Sequence, residues 1–336
     1  MYRKIKIFGG ISQVGRSFIP YQMNAIKEQL LILLSTPVYL SVIGAELLLS
    51  HLQHRKAYTL KDTVANIYLM LLNSGIDLLF RVIYLAILQY FYLRAWIRIE
   101  HIFFYWLILV LAEDMLYYWL HRFDHQIRFF WAVHVTHHSS RQMNFTVGFR
   151  SSVFQPLYRF LYFIPLALIG FRPVDVVFVY SATQIWGIFV HTELIRKMGW
   201  LEYFMVTPSH HRVHHGSNPK YLDKNMGMFL IVWDKLFGTF QAELPAEKYQ
   251  PIAYGLTKNL EKPNASSIIF HEWKDIWKDT TQDGISLQTR LNYLIGPPGW
   301  SHDGTRKTSE QLRAEESETV NDPGKALPPT PFNIQY

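Results

Sequence analysis

Two copies of the pattern H-x-x-H-H stand in this chain of 336 residues, His134-xx-His137-His138 and His211-xx-His214-His215. On a helix, positions i and i+4 share a face and i+3 lies beside them. Each block is therefore expected to present three imidazoles towards one point. His121 and His125 are also spaced for one helix face, and His191 stands alone between the blocks. Of 15 histidines in the chain, ten fall between His121 and His215. Imidazole is the commonest protein metal ligand and suits iron, zinc, copper and nickel. Nine patterned histidines exceed the four ligands of one tetrahedral ion. The expectation is a site for two metals built from His121, His125, His134, His137, His138, His191, His211, His214 and His215. His210 adjoins the second block outside its pattern and reads as a structural neighbour. His51, His54, His101, His271 and His302 read as surface or interface residues.

The chain contains no cysteine, so disulfides, iron–sulfur clusters, thiolate zinc sites and C-x-x-C-H haem attachment are all excluded. Aromatic residues make up 16% of it, with 10 Trp, 20 Tyr and 23 Phe. Such content fits membrane interfaces, where amphipathic rings sit at headgroup level. The formal net charge of +7 fits Lys and Arg facing anionic lipid. Nucleic-acid binding is not expected, because the basic residues are scattered among apolar segments.

Leu30–Ser50 carries a single charge, Glu46, and is long enough to span a bilayer. Thr59-Leu60-Lys61-Asp62 reads as a helix-capping box. Val64–Tyr92 is an apolar run interrupted by Asn73, Gly75, Asp77 and Arg81, and fits either one long helix or a tight hairpin. Asp77 and Arg81 are spaced i,i+4 and could neutralise one another. His101–Leu120, Val153–Gly170 and Val174–Val190 read as further spans. The first of these delivers His121 and His125 at its end, and the last delivers His191. Met226–Phe240 reads as a short interfacial or packed helix. The expected fold is all-α: a multi-pass integral membrane helical bundle, with a helical cap holding a polyhistidine di-metal site. Helices are forced because lipid cannot satisfy free backbone groups. The expected organisation is a basic N-terminal segment at 1–29, a membrane-embedded domain at 30–302 and a disordered Ser-, Thr-, Glu-, Lys- and Pro-rich tail at 303–336. Arg122, Arg128, Arg141, Arg150, Arg196, Lys197 and Arg212 argue for a metal site on the cytoplasmic side, at the endoplasmic reticulum or a bacterial inner membrane.

Asp114 lies seven residues before His121, on the same helical face, with Tyr118 between them. Asp114 is expected to accept a ring N–H from a ligand histidine and fix its tautomer. Tyr118, Asn144 and Asp223 are further candidates for groups standing behind the ligands. A zinc hydrolase would normally carry its general base in H-E-x-x-H, which is absent. An all-nitrogen ligand set suits redox-active iron without excluding zinc. A metal transporter would place its ligands at mid-membrane depth, whereas these cluster at span ends.

The stretches Tyr117–His125, Trp131–Ser140 and Thr207–Gly216 resemble the fatty acid hydroxylase/sterol desaturase superfamily, as do Asn218-Pro219, Asp223-Lys224-Asn225 and Trp233–Phe240. With His191-Thr192-Glu193-Leu194 and Ala253-Tyr254-Gly255-Leu256, the chain looks most like the alkylglycerol monooxygenase branch. Gln126 stands where that branch usually carries Glu. The resemblance implies a membrane enzyme with two iron ions that uses O2 on a lipid C–H bond, an ether lipid first. The alternatives are a sterol or fatty acyl hydroxylase or desaturase, and a zinc lipid hydrolase. No G-x-G-x-x-G fingerprint is present, so reducing equivalents are expected from outside: tetrahydrobiopterin, cytochrome b5 or a ferredoxin-type protein.

Overall fold

The computed structural model describes residues 11–321, with side chains from residue 30 to residue 318 except residue 32. The side chains of the basic segment at 1–29 and the end of the tail beyond 321 lie outside it. Among the described residues no strand forms, only isolated bridges pairing Met205 with Leu230 and Gly216 with Tyr254. Three helices are long and apolar enough to cross a membrane: α1 (Ile11–Leu52) over Leu33–Leu52, α2 (Leu60–Tyr92) and α3 (Ile102–Gln126). Their outer faces expose Leu33, Leu40, Leu78, Leu79, Val82 and Phe103. A continuous apolar surface of that extent calls for lipid or a partner rather than water.

Thr59 caps α2, its Oγ1 accepting from Asp62 N at 3.4 Å. The helix runs through Asn73 and Gly75 without a break, so this run is one helix and not a hairpin. Asn73 is held there by donating to Ser152 O at 2.8 Å, while Gly75 is exposed on the outer face. Arg81 pairs with Asp77 at 2.7 Å, as the spacing suggests. Arg159 joins them, donating to Asp77 and to Tyr180 Oη. The expected span at Val153–Gly170 is not formed as one. A 3-10 turn at Gln155–Leu157, with Pro156 in it, precedes α5 (Arg159–Ile169). At 1.5 Å per residue, 11 residues reach only about 16 Å, half of a hydrocarbon core. After Gly170, whose φ of +108 makes the C-terminal turn, α6 (Pro173–Phe189) runs back towards His191. The core between these helices holds Tyr84, Leu88, Leu109, Phe163, Leu166 and Phe171.

The cap begins with α4 (Arg128–His138), packed between α3 and α9 (Ala265–Thr280). Arg128 at its start is buried and held by Glu272 and Asp279, each at 2.6 Å. Further on come α7 (Pro208–His214), the six-residue α8 (Val232–Phe237) and α10 (Leu287–Ile295), which packs on α9. The tail departs from the disorder expected of it, because Ser309–Asn321 forms α11. Polar contacts hold it: Arg313 donates to Leu222 O at 2.8 Å, and Glu316 accepts from Tyr249 Oη at 2.6 Å. A polar composition gives no apolar pattern to read, and these anchors lie far away in sequence.

Candidate metal centre

All nine patterned histidines meet in the cap, in two groups. His121, His125, His134, His138 and His214 form one; His137, His191, His211 and His215 form the other. Within each group the candidate ligand atoms lie within 4.8 Å of one another. The H-x-x-H-H blocks are therefore not three-pronged, contrary to the simplest reading of their spacing. In each, the i,i+4 pair goes to one group and the i+3 residue crosses to the other. Successive residues turn by about 100°, so i+4 falls about 40° from i, while i+3 falls about 60° away on the opposite side. His134 and His138 of α4 are thus joined by His214 of α7. His211 and His215 are joined by His137 of α4. The α3 pair His121 and His125 completes the first group, and His191, just past the end of α6, completes the second.

Outward-facing nitrogens are held by acceptors. His121 Nδ1 meets Met226 O at 2.7 Å, His137 Nδ1 meets Arg150 O at 2.9 Å, His191 Nδ1 meets Gly187 O at 2.7 Å and His214 Nδ1 meets Lys224 O at 3.0 Å. A carbonyl only accepts, so each of these rings carries its proton on Nδ1 and turns an Nε2 lone pair inward. His125 Nδ1 lies 3.2 Å from Asp223 Oδ1. His134 Nδ1 lies 3.1 Å from Ser152 Oγ and 3.8 Å from Asp124 Oδ2.

The inward atoms are crowded. His121 Nε2 and His134 Nε2 are 3.0 Å apart, and His134 Nε2 and His138 Nε2 are 3.2 Å apart. In the second group, Nε2 of His191 lies 2.9 Å from that of His211, 3.1 Å from that of His215 and 3.4 Å from that of His137. His125 Nε2 and His214 Nε2 are buried with no hydrogen-bond partner among the described residues. A buried unpaired acceptor costs about 1–3 kcal/mol. A cation in each group would remove both the crowding of lone pairs and the unpaired atoms. The spacing fits one: with metal–nitrogen bonds of about 2.1 Å, nitrogens at neighbouring corners lie about 3.0 Å apart in an octahedron and about 3.4 Å apart in a tetrahedron. Burial, followed by the charge of neighbouring histidines, pushes His138, His211 and His215 well below the ordinary imidazole range. His137 is lowered to about 4, again mainly by burial. The rings are thus neutral and ready to ligate at neutral pH.

Behind the histidines, the structure redistributes the expected partners. Asp223 stands beside His125. Asp114 meets no histidine, contrary to expectation. Its carboxylate accepts from Phe229 N and Leu230 N at 3.0 Å each and from Trp233 Nε1 at 2.9 Å. Asp234 accepts from Met226 N at 2.6 Å and Gly227 N at 2.8 Å. Together they pin the loop whose Met226 carbonyl meets His121, and Asp114 acts through that loop. Tyr118 Oη contacts Thr239 Oγ1 at 2.9 Å, and Asn144 donates to Ala57 O at 2.6 Å; in these bonds neither touches a ligand candidate. His210 lies outside both groups and stands at the start of α7. The buried carboxylate nearest His134 belongs to Asp124, which also accepts from Gln155 at 2.9 Å and Tyr158 at 2.7 Å. Its position between His121 and His125 is the signal that could have found it. The buried Arg150 was also unread as a site residue. Its guanidinium donates to Thr136 O at 3.0 Å and pairs with Asp62 at 3.1 Å, fixing the carbonyl that meets His137.

The nine histidines separate two cavities that share no lining residue. A mainly apolar one of about 890 Å³ lies between α1, α2 and α6 and reaches His121, His134, His137, His191 and His211. A cavity of about 480 Å³ on the other side reaches His125, His138, His214 and His215, and is lined by Asp223, Lys258, His271, Asp275 and the start of the α11 segment.

The fatty acid hydroxylase family model matches residues 106–239, which contain all nine histidines. The chain is 34% identical to human alkylglycerol monooxygenase over 272 residues, covering 79% of this chain and 59% of the relative. It is 32% identical to an ornithine lipid hydroxylase of Rhizobium tropici over 134 residues, 39% of this chain and 40% of that one. Mouse lathosterol oxidase is 27% identical over 158 residues, 46% of this chain and 50% of that one. The chain spans about half the length of the curated relatives it matches. No solved structure matches it. Residues 106–239 thus match the fatty acid hydroxylase family model, and the chain is similar to alkylglycerol monooxygenases and to a lathosterol oxidase.

Proposed function

We propose that this protein is a multi-pass membrane monooxygenase. It holds two iron ions on His121, His125, His134, His138 and His214 and on His137, His191, His211 and His215, and hydroxylates a lipid C–H bond next to an ether oxygen. The observation that carries this reading is the double histidine group set between an apolar and a polar cavity. Iron on such a neutral nitrogen set would supply the activation of O2. The chain's own residues do the rest. The carbonyls of Met226, Arg150, Gly187 and Lys224 keep the ligand rings in one tautomer. The apolar cavity takes the alkyl tail along Leu40, Leu47, Ile67 and Leu78 and excludes water from it. Tyr117, Ser152, Gln155 and Gln184 line the same cavity and offer hydrogen bonds to the polar part of the lipid.

One oxygen atom enters the C–H bond and the other leaves as water, with two electrons and two protons from an external reductant. The hydroxylated ether carbon is a hemiacetal, which breaks into an aldehyde and an alcohol. The ether linkage is favoured by the similarity to alkylglycerol monooxygenases; the hydroxylases and desaturases among the relatives act on other lipids. The polar cavity is the route by which a soluble reductant reaches the centre, whether a tetrahydropterin or a protein donor. The basic residues around the cap support a cytoplasmic position for it.

The test uses iron-loaded protein in lipid nanodiscs with an alkylglycerol, tetrahydropterin and isotopically labelled O2. Labelled aldehyde is expected. Product formed without oxygen would overturn the monooxygenase reading. Label found in a sterol or an acyl chain instead would keep the chemistry and replace the substrate.

A further inference from the structure

Four faces follow one another around α9. The first, Ile268, Ile269, Ile276 and Asp279, is buried. Next comes an apolar arc of Phe270, Trp273 and Trp277, in which Trp277 is 72% exposed. Then come the exposed Lys274 and Lys278, and beyond them His271 and Asp275, which line the polar cavity. α10, packed on α9, adds an exposed apolar stripe of its own in Leu287, Leu291 and Ile295, spaced i, i+4 and i+8 and 72%, 46% and 63% exposed. One turn of helix therefore runs from core to apolar surface to lysine to aqueous cavity.

α9 packs directly against α2, the helix whose outer face is exposed and apolar. Ile268 and Ile269 pack on Leu69, with Leu72 and Ile76 of α2 against the same cluster. Between them on α2, Leu71 is turned outward and exposed. Phe270 packs on Phe154 with ring centroids 6.0 Å apart. Tryptophan at the edge of an apolar stripe, with lysines bordering it, is the composition of a helix lying in the headgroup region.

From this the geometry points to a lipid leaflet as the partner of the α9–α10 hairpin. Phe270, Trp277, Leu287, Leu291 and Ile295 sink into the acyl boundary, while Lys274 and Lys278 meet anionic headgroups. The hairpin extends the membrane footprint of the protein from the spanning helices to the cap. It fixes the cap at the bilayer surface, with the polar cavity turned to water. This inference rests on the reading of α2 as a membrane span, and its test separates the two.

The chain has no cysteine, so one introduced cysteine carries a single nitroxide label. The variants are Trp277→Cys, Leu291→Cys and Ile295→Cys on the hairpin, Asp275→Cys as the aqueous control and Leu78→Cys as the span control. Each full-length protein is reconstituted in phosphatidylcholine vesicles with and without phosphatidylglycerol. Collisions of the label with oxygen and with a water-soluble nickel chelate are then measured. Metal content confirms that each variant is folded. At 277, 291 and 295 the ratio is expected to favour oxygen severalfold over that at 275. Adding Lys274→Glu and Lys278→Glu to Trp277→Cys is expected to lower its ratio in the anionic vesicles and leave it unchanged in the zwitterionic ones. If the three hairpin labels match position 275 while position 78 favours oxygen, the hairpin inference falls alone. If position 78 also matches 275, the spanning reading falls with it. Labels shielded from both reagents would place a protein surface there instead and overturn the inference.

Discussion

The two histidine groups are built from the same kinds of parts and differ in what stands behind them. The first has five rings, two of them on the spanning helix α3, and two carboxylates close by, Asp223 and Asp124. The second has four rings, one of them the lone His191 past the end of α6. Its identified supports are the carbonyls of Arg150 and Gly187, and His211 Nδ1 is buried without a partner among the described residues. Carboxylates behind ligand imidazoles raise their basicity and offset the charge of an ion. The first group is thus the better equipped to hold a divalent cation, and the second the easier to empty.

The largest effect that tests this comparison is loss of a ligand. His134→Ala is expected to remove one metal equivalent from the first group, and His211→Ala one from the second. Each should abolish turnover, and elemental analysis of the purified variants counts the ions. A variant that keeps both ions would break the assignment of its residue. A smaller effect is expected from Asp223→Asn. Loss of such a supporting carboxylate should weaken metal binding about 10–100-fold, in the first group alone. Chelator titration, watched for two separate release steps, reads it. Equal weakening of both groups would erase the distinction between them.

The pH response comes next. Burial lowers His137 in the folded chain from the ordinary imidazole value of 6.5 to about 4. Below pH of about 6.5 the unfolded chain binds more protons than the folded one, so stability is lost as pH falls from there towards 4. The metal-free protein should therefore melt at a progressively lower temperature across that window and stay level above it. A melting point that is flat from neutrality to pH of about 5 would contradict the burial of neutral rings. The smallest effect concerns α11. Arg313 holds the Leu222 carbonyl next to Asp223, so Arg313→Ala should weaken the first group about fivefold, the worth of one hydrogen bond of about 1 kcal/mol. The second group should not respond.

Spacing along the chain made the nine histidines legible, because helical periodicity is local. Their partition was not. Whether His137 turns with His134 or away from it depends on where α7 lies, which no spacing within α4 records. Asp223 was visible in its motif. Asp124 sits between two histidines with no spacing pattern to mark it, and the contact expected of Asp114 goes to the Met226–Trp233 loop instead. The spans at α1, α2 and α3 followed from long apolar runs. The Val153–Gly170 run misled because composition does not register Ser151, Ser152 and Pro156 as the end of one turn and the start of another. α11 was missed because polar, long-range bonds hold it.

That the two cavities share no lining residue has a kinetic consequence. A lipid on one side and a reductant on the other can be bound at once, and neither has to leave before the other enters. Under the proposed function, steady-state rates measured against one reactant at several fixed levels of the other should give intersecting reciprocal plots. The enzyme would work as a ternary complex, and the parallel lines of a shuttle that releases one product before admitting the next partner should not appear.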